Sequence, residues 1–421
     1  MSAERPADVR IDDLLDPVFP PGVDEALSAR DAEAEAIEWS VDAVRRDARE
    51  ASGLDDFGDG LIDEPLALLV QIGRHNERCR GAGLVTFYET LVANAVQRLL
   101  IVDYIKRYPE VGDIEISRPI VIAGQARTGT THLHNLLAAD PALRSLQYWE
   151  SLEPVPPLAE QGADRAGGAD PRYRRVEEAL AGLNYALPHF KRMHDMYTAH
   201  VHEEVQLQMP AFGGMLWETI LHDERFRDWY LATDQTPWYE WMRTVLKVCT
   251  HVGGGRWVLK SPQHVEQLGP LMAAFPDATV LCTHRDPVAV TKSIATMLAY
   301  TARTSARPEC LIDVAHYWID RVERMFRAYA AGRDLVPSEQ SMDVHFNEFM
   351  QDDVAMVARV YGLAGRPFTP EVRGAMDAFM DAHPRGKHGR VLYDLAAVGR
   401  DPGERRAALQ FYVDRFGVAT E

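Results

Sequence analysis

Cysteine is scarce in this chain of 421 residues: Cys79, Cys249, Cys282 and Cys310 are the only four, and they stand far apart. With no CxxC pair and no Cys/His cluster at metal-ligand spacing, the sequence offers neither a disulfide framework nor a metal motif. Four thiols in a reducing compartment is the expectation. Long apolar runs are also missing. The opening MSAERPADVRIDDLLDP lacks a basic-then-apolar signal pattern, and no run reaches membrane-spanning length, so a cytoplasmic protein without a transmembrane segment is expected. Positive charge is in short supply: 45 Lys+Arg face 63 Asp+Glu, for a net charge of −18. A surface of that sign repels polyphosphate and argues against nucleic acid or an anionic membrane as partner. Only six of the basic residues are lysine, which makes each one, Lys260 and Lys387 included, worth questioning.

What is present is a chain 46% hydrophobic, long enough for a large core. The acidity is uneven. Residues 1–64 hold 19 acidic and 6 basic side chains, so the other 357 residues are close to balanced. Apolar residues at three- and four-residue spacing predict helices over 65–79 and 84–106, and an alanine-rich charged stretch predicts another over 29–49. At Arg118 the pattern changes. Short β-branched runs at 118–123, 257–260 and 278–283 read as buried strands, each feeding a loop and a helix, which predicts an α/β fold: a P-loop-like central parallel β-sheet flanked by helices. Residues 1–110 are expected to form an acidic, mainly helical layer packing on the core. Residues 111–421 then form the α/β domain, with a helical, aromatic-rich insert at about 171–252 whose Trp217, Trp229, Trp238 and Trp241 are candidates for an acceptor wall or ordinary core.

Two segments carry chemistry. Gly124-Gln125-Ala126-Arg127-Thr128-Gly129-Thr130-Thr131 follows the first strand and opens a helix. Glycines at both ends let the backbone curl so that N–H groups and the helix N-terminus face an anion, the geometry of a phosphate loop. In the nucleotide-triphosphatase pattern GxxxxGK[ST] a lysine precedes the last residue; here Thr130 takes that place and the cation is Arg127. Loss of that lysine argues against ATP or GTP hydrolysis and for another phosphate ester. The second segment, Thr283-His284-Arg285-Asp286-Pro287, ends a strand, with Ser293 eight residues beyond Arg285 on the next predicted helix. Both can converge on one phosphate at the carboxyl edge of the sheet.

Together these segments resemble the sulfotransferases that use 3′-phosphoadenosine 5′-phosphosulfate (PAPS), in particular a bacterial branch with an Arg-Thr-Gly-Thr-Thr loop. The resemblance spans the chain from about residue 118 onward. It implies that Arg127, Thr128, Gly129, Thr130 and Thr131 hold the 5′-phosphosulfate, and that Arg285 and Ser293 hold the 3′-phosphate. It further implies that Lys260, in Trp257-Val-Leu-Lys260-Ser261-Pro262, points into the donor site, and that Arg385, Gly386 and Lys387 belong to a late basic loop closing over the nucleotide. The order there is Arg-Gly-Lys, where better-known cytosolic members have Arg-Lys-Gly.

The implied reaction moves a sulfo group from PAPS to a hydroxyl or amine of a small-molecule, lipid or glycan acceptor and leaves 3′,5′-bisphosphoadenosine (PAP), with no metal required. Arg127 and Lys260 are the candidates for charge stabilisation. Glu150 is preferred as general base because protein-tyrosine-type members place a glutamate in that stretch, and a carboxylate beside Trp149 suits the role. His132, His202, Glu204 and His264 stay open as alternatives. Two other readings compete: a phosphate-loop small-molecule kinase, and a catalytically silent nucleotide-binding scaffold.

Overall fold

The structure, a computed structural model, describes residues 6–162, 170–384 and 386–421. Seven strands occur among them: β1 (Val9–Arg10), β2 (Ile120–Gly124), β3 (Leu143–Arg144), β4 (Arg256–Ser261), β5 (Thr279–His284), β6 (Ser341–His345) and β7 (Val391–Leu392). Five build the central sheet in the order β3-β4-β2-β5-β6, every neighbouring pair parallel. A parallel sheet is covered on both faces, and β2 is buried at all five positions, which is why it reads as an unbroken apolar run.

The period-2 geometry of β2 divides the core. Ile120 and Ile122 join Leu133, Leu136, Val357 and Tyr361 on one face. Val121 and Ala123 join the other, larger cluster, to which the helices Gly81–Arg107, Pro287–Ala302 and Leu311–Gly332 all contribute. The N-terminal helices therefore share the core of the sheet. The stretch expected as one helix over 29–49 is two, Val23–Glu33 and Val41–Ser52. Between them the Ser40 hydroxyl accepts the Ala43 N–H at 3.0 Å and restarts the helix. The remaining N-terminal helices run Asp63–Arg74 and Gly81–Arg107.

Register fixes where the chemistry gathers. Ile122 of β2 lies beside Lys260 of β4 on one side and Leu281 of β5 on the other, and Gly124 lies beside Thr283. The loop after β2, the end of β4 and the end of β5 thus reach one carboxyl edge, where ligands of α/β sheets bind. A buried ion network stiffens the helices above that edge. Arg321 pairs with Glu218 at 2.7 Å and with Glu266 at 2.5 Å, joining Leu311–Gly332 to Leu216–Leu221 and to the Pro262–Glu266 turn. Among the described residues no helix is long and apolar enough to cross a membrane.

Candidate active site

The loop after β2 owes its shape to close packing. A Cβ at Gly124 would fall 1.7 Å from the Thr283 hydroxyl, so only glycine lets β2 approach β5 there. Arg127 (φ 74°) and Gly129 (φ 90°) are both left-handed, and Thr130–Ala138 begins immediately after. For arginine this conformation costs about 1–2 kcal/mol. It is held by three contacts. Arg127 Nη1 donates to the Met193 carbonyl at 2.6 Å, Nε donates to Ser293 Oγ at 3.0 Å, and the Arg127 carbonyl accepts from Arg285 Nη1 at 2.9 Å.

Arg127, Arg285 and Ser293, drawn from two distant segments, thereby form one hydrogen-bonded group. Thr128 serves the loop itself: its hydroxyl bonds the Gln125 carbonyl and the Thr283 hydroxyl, both at 2.6 Å, and it is buried. Gly129 supplies the turn. Thr130 and Thr131, in the first turn of their helix, face open space.

That space consists of two cavities. The inner one, about 230 Å³, is lined by Gln125, Arg127, Thr130, Thr131, Glu203 and Lys260 at one end and by apolar side chains at the other. The outer one, about 370 Å³, is lined by Arg127, Thr131, His132, Lys191, Arg192, Gly386 and Lys387, among others. Arg127, Thr131, Met193 and Asp195 line both, so the cavities meet at the phosphate loop. Buried Gln125 leaves its amide Nε2 donor without a partner, and it lines the inner cavity. An anion seated on the helix N-terminus would meet Arg127, Lys260 and this donor together. Lys387 and His388 close the outer cavity through Asp195, at 2.8 and 3.0 Å. Burial works against the Asp195 carboxylate, but hydrogen bonding to Lys387 and the neighbouring His388 hold its pKa below the usual range. Arg385, the third member expected in that loop, lies outside the described residues.

Lys260 Nζ, nearly inaccessible to solvent, pairs with Glu203. Behind it runs a buried chain. Tyr239 Oη meets His264 Nδ1 at 2.8 Å, His264 Nε2 meets Glu204 at 2.5 Å, and Glu204 accepts the Lys260 backbone N–H at 2.7 Å. Glu204 and His264, two of the alternative bases, are locked in this chain and line neither cavity. His202 packs against Tyr148 in a tilted ring pair, centroids 4.7 Å apart, and also lies off both. His132 lines the outer cavity and contacts Asp353 at 2.9 Å.

Glu150 departs from expectation. It is bound to Arg144 and faces a third cavity with Trp149, Arg172 and Cys249, and it lines neither of the two that share Arg127. The short helix Tyr148–Leu152 turns it away from the loop. Of the two roles open to the tryptophans of the 171–252 insert, Trp238 and Trp241 take that of ordinary core. Trp238 and Trp241 donate to the carbonyls of Ala211 and Leu207 inside the core, and the tryptophan that lines the inner cavity is Trp318. Glu203 and Asp195 were not singled out from the sequence. They sit in irregular backbone between helices, where no periodicity marks a functional face.

Four histidines, His134, His194, His200 and His202, surround Lys260. Burial, reinforced by Lys260 or by neighbouring histidines, lowers the pKa of each; His200 falls to about 4. They are neutral at pH 7 and add no charge to the anion site. Among the described residues no group of three or more His, Cys, Asp or Glu side chains is arranged to hold a metal ion.

A left-handed loop feeding a helix N-terminus at the edge of a parallel sheet, with cations from three strand ends, defines a P-loop-like group-transfer protein. Residues 119–370 match the model of the Sulfotransferase family, and the chain belongs to that family. It is similar in structure to sulfotransferase STF9 from Mycobacterium avium, with a TM-score of 0.81 and 25% identity over 91% of this chain and 98% of that one. It is similar also to sulfotransferase STF1 from Mycobacterium tuberculosis H37Rv, with a TM-score of 0.75 and 28% identity over 88% and 98% of the two chains. No curated protein matches the chain.

Proposed function

We propose that the protein transfers a sulfo group from PAPS to an acceptor hydroxyl, with the nucleotide in the outer cavity and the acceptor in the inner one. The observation that carries this reading is the meeting of the two cavities at Arg127 and Thr131, beside Lys260. A donor spanning that junction presents its sulfo group to whatever fills the inner cavity. Arg127, Thr130, Thr131 and the helix N-terminus take the 5′-phosphosulfate. Arg285 and Ser293 line neither cavity but bond Arg127, which lines both, and by resemblance they take the 3′-phosphate; Gly386 and Lys387, with Arg385 by resemblance, close over the nucleotide.

In the transfer, the acceptor oxygen bonds to sulfur as the bond from sulfur to the 5′-phosphate oxygen breaks, and PAP departs. Lys260 and Arg127 neutralise charge growing on that phosphate. The acceptor proton passes to Glu203, which replaces Glu150 as the proposed base because its carboxylate lines the acceptor cavity and pairs with Lys260. Donor binding gives Lys260 a second anion to neutralise and so loosens its hold on Glu203. The chemistry assigned to these side chains needs no metal. A cytoplasmic site of action goes with this reading, since PAPS is a small soluble donor and the chain carries four free cysteines.

Calorimetric titration of the full chain tests the reading. PAP should bind with a Kd well below that of ATP. Preferential binding of ATP would replace it with the kinase, and binding of neither would leave the scaffold.

A further inference from the structure

We infer that the acceptor is a molecule with a single hydroxyl on an apolar body, an alcohol or phenol, and not a sugar. This rests on the sulfotransferase reading and narrows it. The inner cavity is polarised end to end. Its polar groups gather at the head, by the phosphate loop: Gln125, Arg127, Thr130, Thr131, Glu203 and Lys260, with His194 and Asp195 beside them. Its far wall is aliphatic and thioether: Ile294, Met297 and Leu298 of Pro287–Ala302, Val322 and Met325 of Leu311–Gly332, and Met215, which caps Leu216–Leu221.

Of the two far-wall side chains that own polar atoms, neither has a proton left to donate, and Thr219 Oγ1 alone can still accept. Thr219 Oγ1 donates to the Met215 carbonyl at 3.3 Å, and Trp318 Nε1 donates to His222 Nδ1 at 2.9 Å. The backbone there lies within Pro287–Ala302 and Leu311–Gly332, where helical bonding occupies its amides.

Beyond Thr219 Oγ1, a hydroxyl buried against such a wall finds no partner, and each unpaired one weakens binding on the order of 10-fold. A sugar seated with one hydroxyl at Glu203 would bury several. An apolar body instead gains from every contact, and the methionines let the wall mould to its shape. Recognition is therefore confined to the head, where one hydroxyl meets Glu203 and the transferring group.

The test compares 2-naphthol, 1-octanol, glucose and trehalose as acceptors for the full-length protein with labelled PAPS. Either apolar alcohol should exceed both sugars in kcat/KM by roughly 100-fold or more, naphthol leading if the wall prefers a ring and octanol if it prefers a chain. Met297→Gln, which places hydrogen-bonding atoms in the wall at nearly constant volume, should lower kcat/KM for the preferred alcohol about 10-fold and leave PAP affinity within about twofold. Calorimetry on the PAP-loaded protein gives a second readout: the alcohols bind and the sugars do not. Sulfation or binding of a sugar at or above the level of both alcohols overturns the inference and leaves the sulfotransferase standing. Failure to bind either alcohol overturns it as well. Failure of PAP itself to bind, measured before any acceptor is added, overturns the underlying reading.

Discussion

The two cavities that meet at Arg127 are made of opposite materials. The outer one is lined mostly by charged and polar side chains from short stretches of chain: the phosphate loop and the helix it opens, residues 191–200, and residues 383–384 and 386–389. The inner one, beyond its head, is apolar and is assembled from side chains scattered over several helices. A nucleotide donor demands fixed charges at fixed places, and short motifs can supply them. An apolar body demands only volume and dryness, which many sequences provide. That difference teaches why one half of the site is written in residues and the other only in packing.

The buried histidines around Lys260, beside both cavities, offer the largest lever. His200 has its pKa lowered to about 4, against an ordinary value near 6.5, and His134, His194 and His202 are lowered too. Their folded pKa values lie below the unfolded ones, so the unfolded chain binds more protons in this window. Stability is full above pH 6.5 and is lost as pH falls toward 4. His200 alone should give up about 2 kcal/mol at pH 5, and the other three act in the same direction. A Tm that drops steeply from pH 7 to 5, with a shallower slope in His200→Gln, is the expected thermal profile. A flat profile would mean that these side chains are solvated and not buried around Lys260.

At the head of the inner cavity, Glu203→Gln should cut kcat on the order of 100-fold or more with PAP affinity unchanged, whereas Glu150→Gln should change kcat little. The opposite ranking, read by initial rates under saturating donor, would return the base to Glu150 and break the division between the cavities. On the donor side, Arg285→Ala should weaken PAP binding roughly 10- to 100-fold, the loss of charge-assisted hydrogen bonds.

The smallest effect is an increase. Arg285 already holds both carboxylate oxygens of Glu421, at 2.6 and 2.8 Å, with its guanidinium 4.1 Å over the Phe346 ring. A 3′-phosphate must displace that carboxylate, so Glu421→Gln should tighten PAP binding about 2- to 5-fold, as expected for a partly exposed ion pair. Unchanged affinity would place the 3′-phosphate away from Arg285.

What could be read from the sequence follows the same division. The strands at β2, β4 and β5 and the loop between Gly124 and Thr131 were legible because a parallel strand is apolar throughout and a phosphate loop needs glycine at set places. The meeting of Arg127, Arg285 and Ser293 followed from strand ends sharing one edge. Thr128 could not be told from Thr130: both are threonines in one turn, and only the packing of Thr283 decides that the first faces inward. Glu150 stood in a plausible stretch, yet Arg144, six residues earlier, holds it away. Nothing in Glu203-Glu204 announces that adjacent carboxylates do different work, one lining the cavity and one clamping the Lys260 backbone. The break at Ser40 was a capping signal within a helix-forming composition, missed because charge and alanine content dominated the window.

The central claim is that donor and acceptor occupy neighbouring cavities at once and exchange the sulfo group directly at Arg127 and Lys260. Initial-rate kinetics with PAPS and a preferred acceptor, each varied at several fixed levels of the other, test it most directly. The arrangement predicts double-reciprocal lines that intersect, the mark of a ternary complex; parallel lines, the mark of a covalent sulfo-enzyme formed before the acceptor binds, would contradict it.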